Sequence, residues 1–221
     1  MTNEIAIRSE TDLAGLAVFA QDNDAVMMAG DPLFFKKGTW FKGDSEFDPT
    51  SRCFLANYQE AYTGWTRWAD KRPVDQRLIR CSDYRMKEPR EALGFTDKNT
   101  WETNDRGIPQ DPWQPSDRMV LRTMDSAEDL LTFITSSVGG RNAIAKLLGK
   151  VAKSPNAAQG KMPVVQLEVG SYEHADFGVV SFPVFKVIDW AFWDAVDEAG
   201  APREVAHALD DAIPFAPEWR G

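Results

Sequence analysis

The spacing of apolar residues changes character along this chain, and each change marks an element. Within residues 1–30, Ser9 and Glu10 precede Leu13, Leu16, Ala17 and Phe19, whose helical spacing predicts a short helix. From Leu33 the pattern turns to β. Residues 33–42 are aromatic and basic, and residues 52–56 and 61–68 read as further strands. Residues 119–121 and 130–135 read as a strand pair. A helix opens after Ser136-Ser137-Val138-Gly139-Gly140-Arg141. Ile144, Leu147, Leu148 and Val151 form its apolar face; Arg141, Lys146, Lys150 and Lys153 form its basic side. Beyond a loop at 154–161, residues 163–169 and 179–188 read as strands. A last helix is predicted at 190–199, ended by Gly200-Ala201-Pro202.

Many short strands with scattered helices predict a mostly β, α+β domain over residues 31–199, with one or two packed helices. Residues 1–30 form an N-terminal segment, and residues 200–221 a sparse acidic tail. Residues 94–115 make a long irregular stretch rich in Asp, Asn, Gly and Pro. Such stretches are uncommon in compact domains, so a packed functional loop is expected, pinned by Trp101 and Trp113. No internal repeat is visible.

The net charge of −9 argues against nucleic acid until it is divided along the chain. Residues 36–90 hold twelve bases against eight acids, and residues 139–162 hold five bases and no acid. Affinity for phosphate follows the local field, so two basic blocks among acidic ones read as a binding strip. Ordinary surface variation is the plainer alternative. No apolar run approaches membrane-spanning length, and residues 1–30 carry too many acids for a signal peptide, which points to a cytoplasmic protein without membrane contact. Cys53 and Cys81 make no disulfide framework, and with only His174 and His207 no zinc-ligand spacing exists. No metal or cofactor is expected.

Single-stranded nucleic acid is held by cations along its backbone and by flat side chains under its bases. Strand alternation through residues 33–42 puts Lys36, Trp40 and Lys42 on one face, a poor setting for a buried Trp. In residues 62–68, Trp65 shares a face with Arg67, and Trp68 takes the other. Trp65 and Arg67 are therefore expected to face ligand or solvent, and Trp68 the core. Lys71, Arg72, Arg77 and Arg80 extend the cationic path. Each aromatic alone is more often core than platform. Ser136 to Gly140 offer capping hydroxyls and exposed N–H groups, a potential anion site, and Arg141 and Lys146 add cations beside it. A tight turn with a solvated Arg is the competing reading. Asp97, Glu102, Asp105, Asp111 and Asp117 gather acids that would suit a divalent cation, although their spacing matches no calcium loop. Solvated loop acids are the plainer reading.

The tail holds Asp210-Asp211-Ala212-Ile213-Pro214-Phe215, two carboxylates beside a compact apolar hook. It resembles the Asp-Asp-Asp-Ile-Pro-Phe tip of bacterial and phage single-stranded DNA-binding proteins, with Ala212 the departure. That family's tip ends the chain, whereas here Ala216 to Gly221 follow. Thr135 to Arg141, with Asp111-Pro112-Trp113-Gln114, also resemble prophage-encoded proteins without an assigned activity, over much of residues 60–190.

The first resemblance implies a small OB-like β-barrel with inserted loops. It also implies a non-catalytic single-stranded DNA-binding protein of phage-type replication or recombination. Asp210, Asp211, Ile213, Pro214 and Phe215 would recruit replication or recombination proteins. Without DNA the tail would lie along the basic strip, so its removal would tighten DNA binding at low salt. A homo-oligomer stays open. Two alternatives come from other classes: a metal-dependent, nuclease-like enzyme using the acidic loop, and a protein-interaction module in which Trp40 and Trp65 are both internal.

Overall fold

The computed structural model describes residues 29–104, 107–126, 129–175 and 178–194. The helix expected near Leu13 and the tail segment Asp210 to Phe215 lie outside them.

Nine strands form one sheet: β1 (Asp31–Lys36), β2 (Thr39–Lys42), β3 (Ser45–Phe47), β4 (Phe54–Ala69), β5 (Arg72–Arg80), β6 (Trp113–Thr123), β7 (Leu130–Thr135), β8 (Met162–His174) and β9 (Gly178–Ala191). Among the described residues two helices, α1 (Val138–Val151) and α2 (Pro155–Ala158), accompany the sheet with three short 3-10 turns. The domain is mostly β, as its pattern predicts. The strand order is β3-β2-β1-β7-β6-β4-β8-β9, with β5 on the free part of β4. All pairings are antiparallel except β1 with β7.

Residues 33–42 are not one strand but a hairpin. Lys37 and Gly38 both have positive φ, 49° and 88°, the conformation of a two-residue turn matched to strand twist. The turn breaks the alternation that holds along a single strand. Trp40 now stands opposite Phe35, and Lys36 opposite Thr39. Trp40 therefore shares a face with Leu33 and Phe35, and Lys36 moves to the other face.

β4 joins two expected strands through an irregularity between Asn57 and Ala61. The Asn57 carboxamide oxygen accepts the N–H groups of Gln59 and Glu60 there, at 3.1 and 3.2 Å. Before it, Phe54 and Leu55 pair with β8; after it, residues from Tyr62 onward pair with β5. β5 carries Arg72, Pro73, Arg77 and Arg80, a composition that suits an edge strand because it discourages further pairing. The expected helix at 190–199 is corrected at its start: Trp190 and Ala191 pair with Pro163 and Met162 as the end of β9.

The main core lies between one face of the sheet and α1. Leu33, Phe54, Met119, Leu121, Phe133 and Val165 meet Ala143, Ile144 and Leu147 from the helix. Trp40 is 3% exposed there. Its ring lies 5.1, 5.5 and 6.3 Å from those of Phe35, Phe133 and Phe185. The sheet is thus bent enough for β2 and β9 to touch through side chains. It is not closed into a barrel: among the described residues no ladder joins β2 or β3 to β9. The expected OB-like barrel is not drawn by this pairing. A cavity of about 630 Å³ occupies the gap between β2–β3 and β8, edged by Glu46, Asp48 and Glu168.

Candidate nucleic-acid interface

The sequence-predicted residues do not form one strip. Trp40 is core, so it offers no stacking surface. Lys42 lies at the rim of the same face, 3.1 Å from both Asp31 and Asp129; its hydrogen bonds to Asp129 and then Asp31 raise its pKa. Lys36 is exposed, its amine 5.2 and 5.7 Å from the Phe34 and Phe41 rings. Trp65 is half-buried rather than solvent-facing. Its indole N–H donates to the Glu88 carbonyl at 2.9 Å, and the Lys87 amine sits 4.7 Å over its ring. Trp68, expected in the core, is 37% exposed. The register of β4 with β5 shifts between Arg67 and Trp68, which stands opposite Pro73 where the sheet runs out. Arg67 lies 4.9 Å over the Phe95 ring. Lys71 and Arg72 are exposed at the turn into β5. Arg77 pairs with Asp75, and Arg80 with Glu60, both at 3.5 Å.

Residues 81–104 and 107–112 form a strap at the end of β4 and β6. Arg90 clamps it. Its Nε and Nη2 reach Asp111 at 2.8 and 2.6 Å, Nη1 reaches the Gly94 carbonyl at 2.7 Å, and Nη2 also reaches that of Phe95. Trp113, 4% exposed, donates its indole N–H to the Leu93 carbonyl, and half-buried Trp101 donates to that of Phe95. Trp113 ties the strap to β6, while the Trp101 bond closes the strap on itself rather than onto the domain. Its acids have internal work. Asp97 caps the turn Lys98–Thr100 by accepting the Asn99 N–H, and Glu102 accepts the Asp70 N–H. Asp105 lies outside the described residues. Among those described, no three His, Cys, Asp or Glu side chains are grouped to hold a metal ion.

Beneath the strap, Asp117 accepts the Thr63 hydroxyl at 2.8 Å. Burial raises its pKa against the pull of that bond, Arg141 and Lys87. Burial also lowers the pKa of Lys87 and pushes the Cys81 thiol up to about 12. Arg141 is half-buried above this group, with an unpartnered Nε. Its charge thus faces an internal carboxylate, so the turn before α1 need not hold phosphate for charge balance. The Ser137 hydroxyl is likewise used: it accepts the Gly140 N–H at 3.1 Å.

Lys146 leads to a different surface. Its amine lies 5.9 Å over the Phe182 ring, in a groove of about 850 Å³ between α1 and β9. Lys37 from the hairpin tip and Lys150 from α1 line the same groove, with Tyr172 and polar Ser137, Asn142 and Ser181. No acid lines it. Among the described residues none of the three lysines forms an ion pair. Phe182 stands opposite Gly170, and the outer end of its ring covers that glycine: a Cβ on Gly170 would sit 2.5 Å from it. The Tyr172 and Phe182 rings are 6.1 Å apart, and Tyr172 is 51% exposed. Sequence reasoning missed Lys37, Lys150, Tyr172 and Phe182 as site residues. Alternation within residues 179–188 carries the signal, since Phe182 and Lys186 interleave with buried Pro183 and Phe185.

No helix among the described residues is long and apolar enough to cross a membrane. No protein-family model, curated protein or solved structure matches this chain.

Proposed function

We propose that the protein binds single-stranded DNA, without catalysis, in the groove between α1 and β9. One observation carries this reading: a chain of net charge −9 keeps a groove of about 850 Å³ lined, among the described residues, by three lysines and no acid. Amines without an ion pair among the described residues, beside exposed Tyr172 and half-buried Phe182, suit a polyanion whose bases stack. Lys37, Lys146 and Lys150 neutralise phosphates, Tyr172 and Phe182 stack bases, and Asn142 and Ser181 meet base or sugar edges. An OB-like barrel is not required, because the ladder of β8 and β9 presents the rings by itself. The proposed recruitment of replication or recombination proteins rests on the sequence of Asp210 to Phe215 alone.

The test is the anisotropy of a labelled oligothymidylate at two salt concentrations. Binding is expected to weaken as salt rises, and Lys146→Glu with Lys150→Glu is expected to abolish it. Salt-independent binding, or none, would sink the proposal. The burial of Trp40 and the covering of Trp65 favour a second reading, a protein-interaction module. That reading expects no oligonucleotide binding by the wild type at either salt.

A further inference from the structure

We propose that the bound strand continues past Ser136 and Ser137 to a second stacking platform, at the end of β4. This rests on the nucleic-acid reading of the α1–β9 groove. A separate cavity of about 600 Å³ opens there, walled by Arg67, Trp68, Lys71, Phe95 and Trp101. Consecutive residues line the two cavities, Ser136 this one and Ser137 the first.

The second cavity is built for flat, anionic cargo. Phe95 is 54% exposed and Trp68 37% exposed, although both are large apolar side chains. They are held in place from behind. The Trp68 backbone N–H donates to the Pro112 carbonyl at 2.8 Å, and the Trp101 indole to that of Phe95. Arg67 stacks on Phe95. Of the two acids in the wall, Asp111 is paired with Arg90, and Glu102 accepts the Asp70 N–H but keeps its charge. Neither Arg67 nor Lys71 forms an ion pair among the described residues. Gln110 and Gln114 also line it. The platforms differ in one useful respect: among the described residues the α1–β9 groove has no Trp in its wall, whereas this one has Trp68 and Trp101.

The experiment titrates the full chain with oligothymidylates of about four and about sixteen nucleotides, spanning the common site-size range. Anisotropy and intrinsic Trp fluorescence are read together. The long oligonucleotide is expected to quench Trp fluorescence and the short one to quench it much less. Trp68→Ala with Trp101→Ala should weaken the long one by about 5- to 150-fold, the equivalent of one stacked base, and leave the short one unchanged. Lys71→Glu, an exposed turn position, should weaken the long one alone and guards against misfolding of the Trp variant. If the long oligonucleotide binds through Lys146 and Lys150 but ignores these substitutions, the second platform falls and the groove reading stands. If neither length binds, both fall.

Discussion

Trp40 in β2 and Phe182 in β9 are both aromatic residues set among lysines, and they have opposite fates. Trp40 is core, packed on Phe35, Phe133 and Phe185. Of its neighbouring lysines, Lys36 is turned to the other face and Lys42 is held by Asp31 and Asp129. Phe182 lies over a glycine at the edge of a groove, and its lysine has no carboxylate partner among the described residues. A cation beside a ring therefore points to a ligand only when no acid in the chain already claims it.

The largest expected effect breaks the buried side of this comparison. Trp40→Ala should cost about 3–5 kcal/mol of unfolding free energy, read from urea midpoints. Arg90→Ala, which releases the strap, should cost about 1.5–3 kcal/mol and shift the Trp101 emission toward the red. Phe182→Ala should cost less than either in stability, yet weaken oligothymidylate binding by about 1–3 kcal/mol. An equal stability loss from Trp40→Ala and Phe182→Ala would erase the comparison. Lys150→Ala should lower the slope of log affinity against log salt by about one, with little change in the urea midpoint.

The pH test is smaller. Burial raises the folded pKa of Cys81 from 9.0 to about 12. Its contribution to stability is complete below pH 9 and is lost as pH rises toward 12. Cys81→Ser should flatten that part of the stability profile. At pH 8.5 the folded thiol should react with iodoacetamide far more slowly than in urea.

Much of the ladder was legible because period-two runs survive in β4, β7, β8 and β9. α1 was legible from the spacing of Ile144, Leu147 and Val151. What was not legible depends on turns and partners. The two-residue turn at Lys37-Gly38 reversed which neighbours Trp40 keeps, and no count along one strand reveals that. β5 was hidden because an edge strand is charged and carries Pro73. Of the candidate site, Lys146 was found in sequence, but its ring, Phe182, arrives from 36 positions away.

The parallel pairing of β1 with β7 sets an order on synthesis. Asp31 and Leu131 are partners a hundred positions apart. At about 5–20 residues per second, the β1–β2 hairpin leaves the ribosome about 5–20 s before β7 can receive it. Phe185, which packs on Trp40, comes later still. For that interval Leu33, Phe35 and Trp40 have no core to enter, which makes the hairpin a natural client for a holding chaperone. Stalled chains ending before Leu130 are expected to leave it open to protease, and chains that include β9 to protect it; equal cleavage in both would remove the idea.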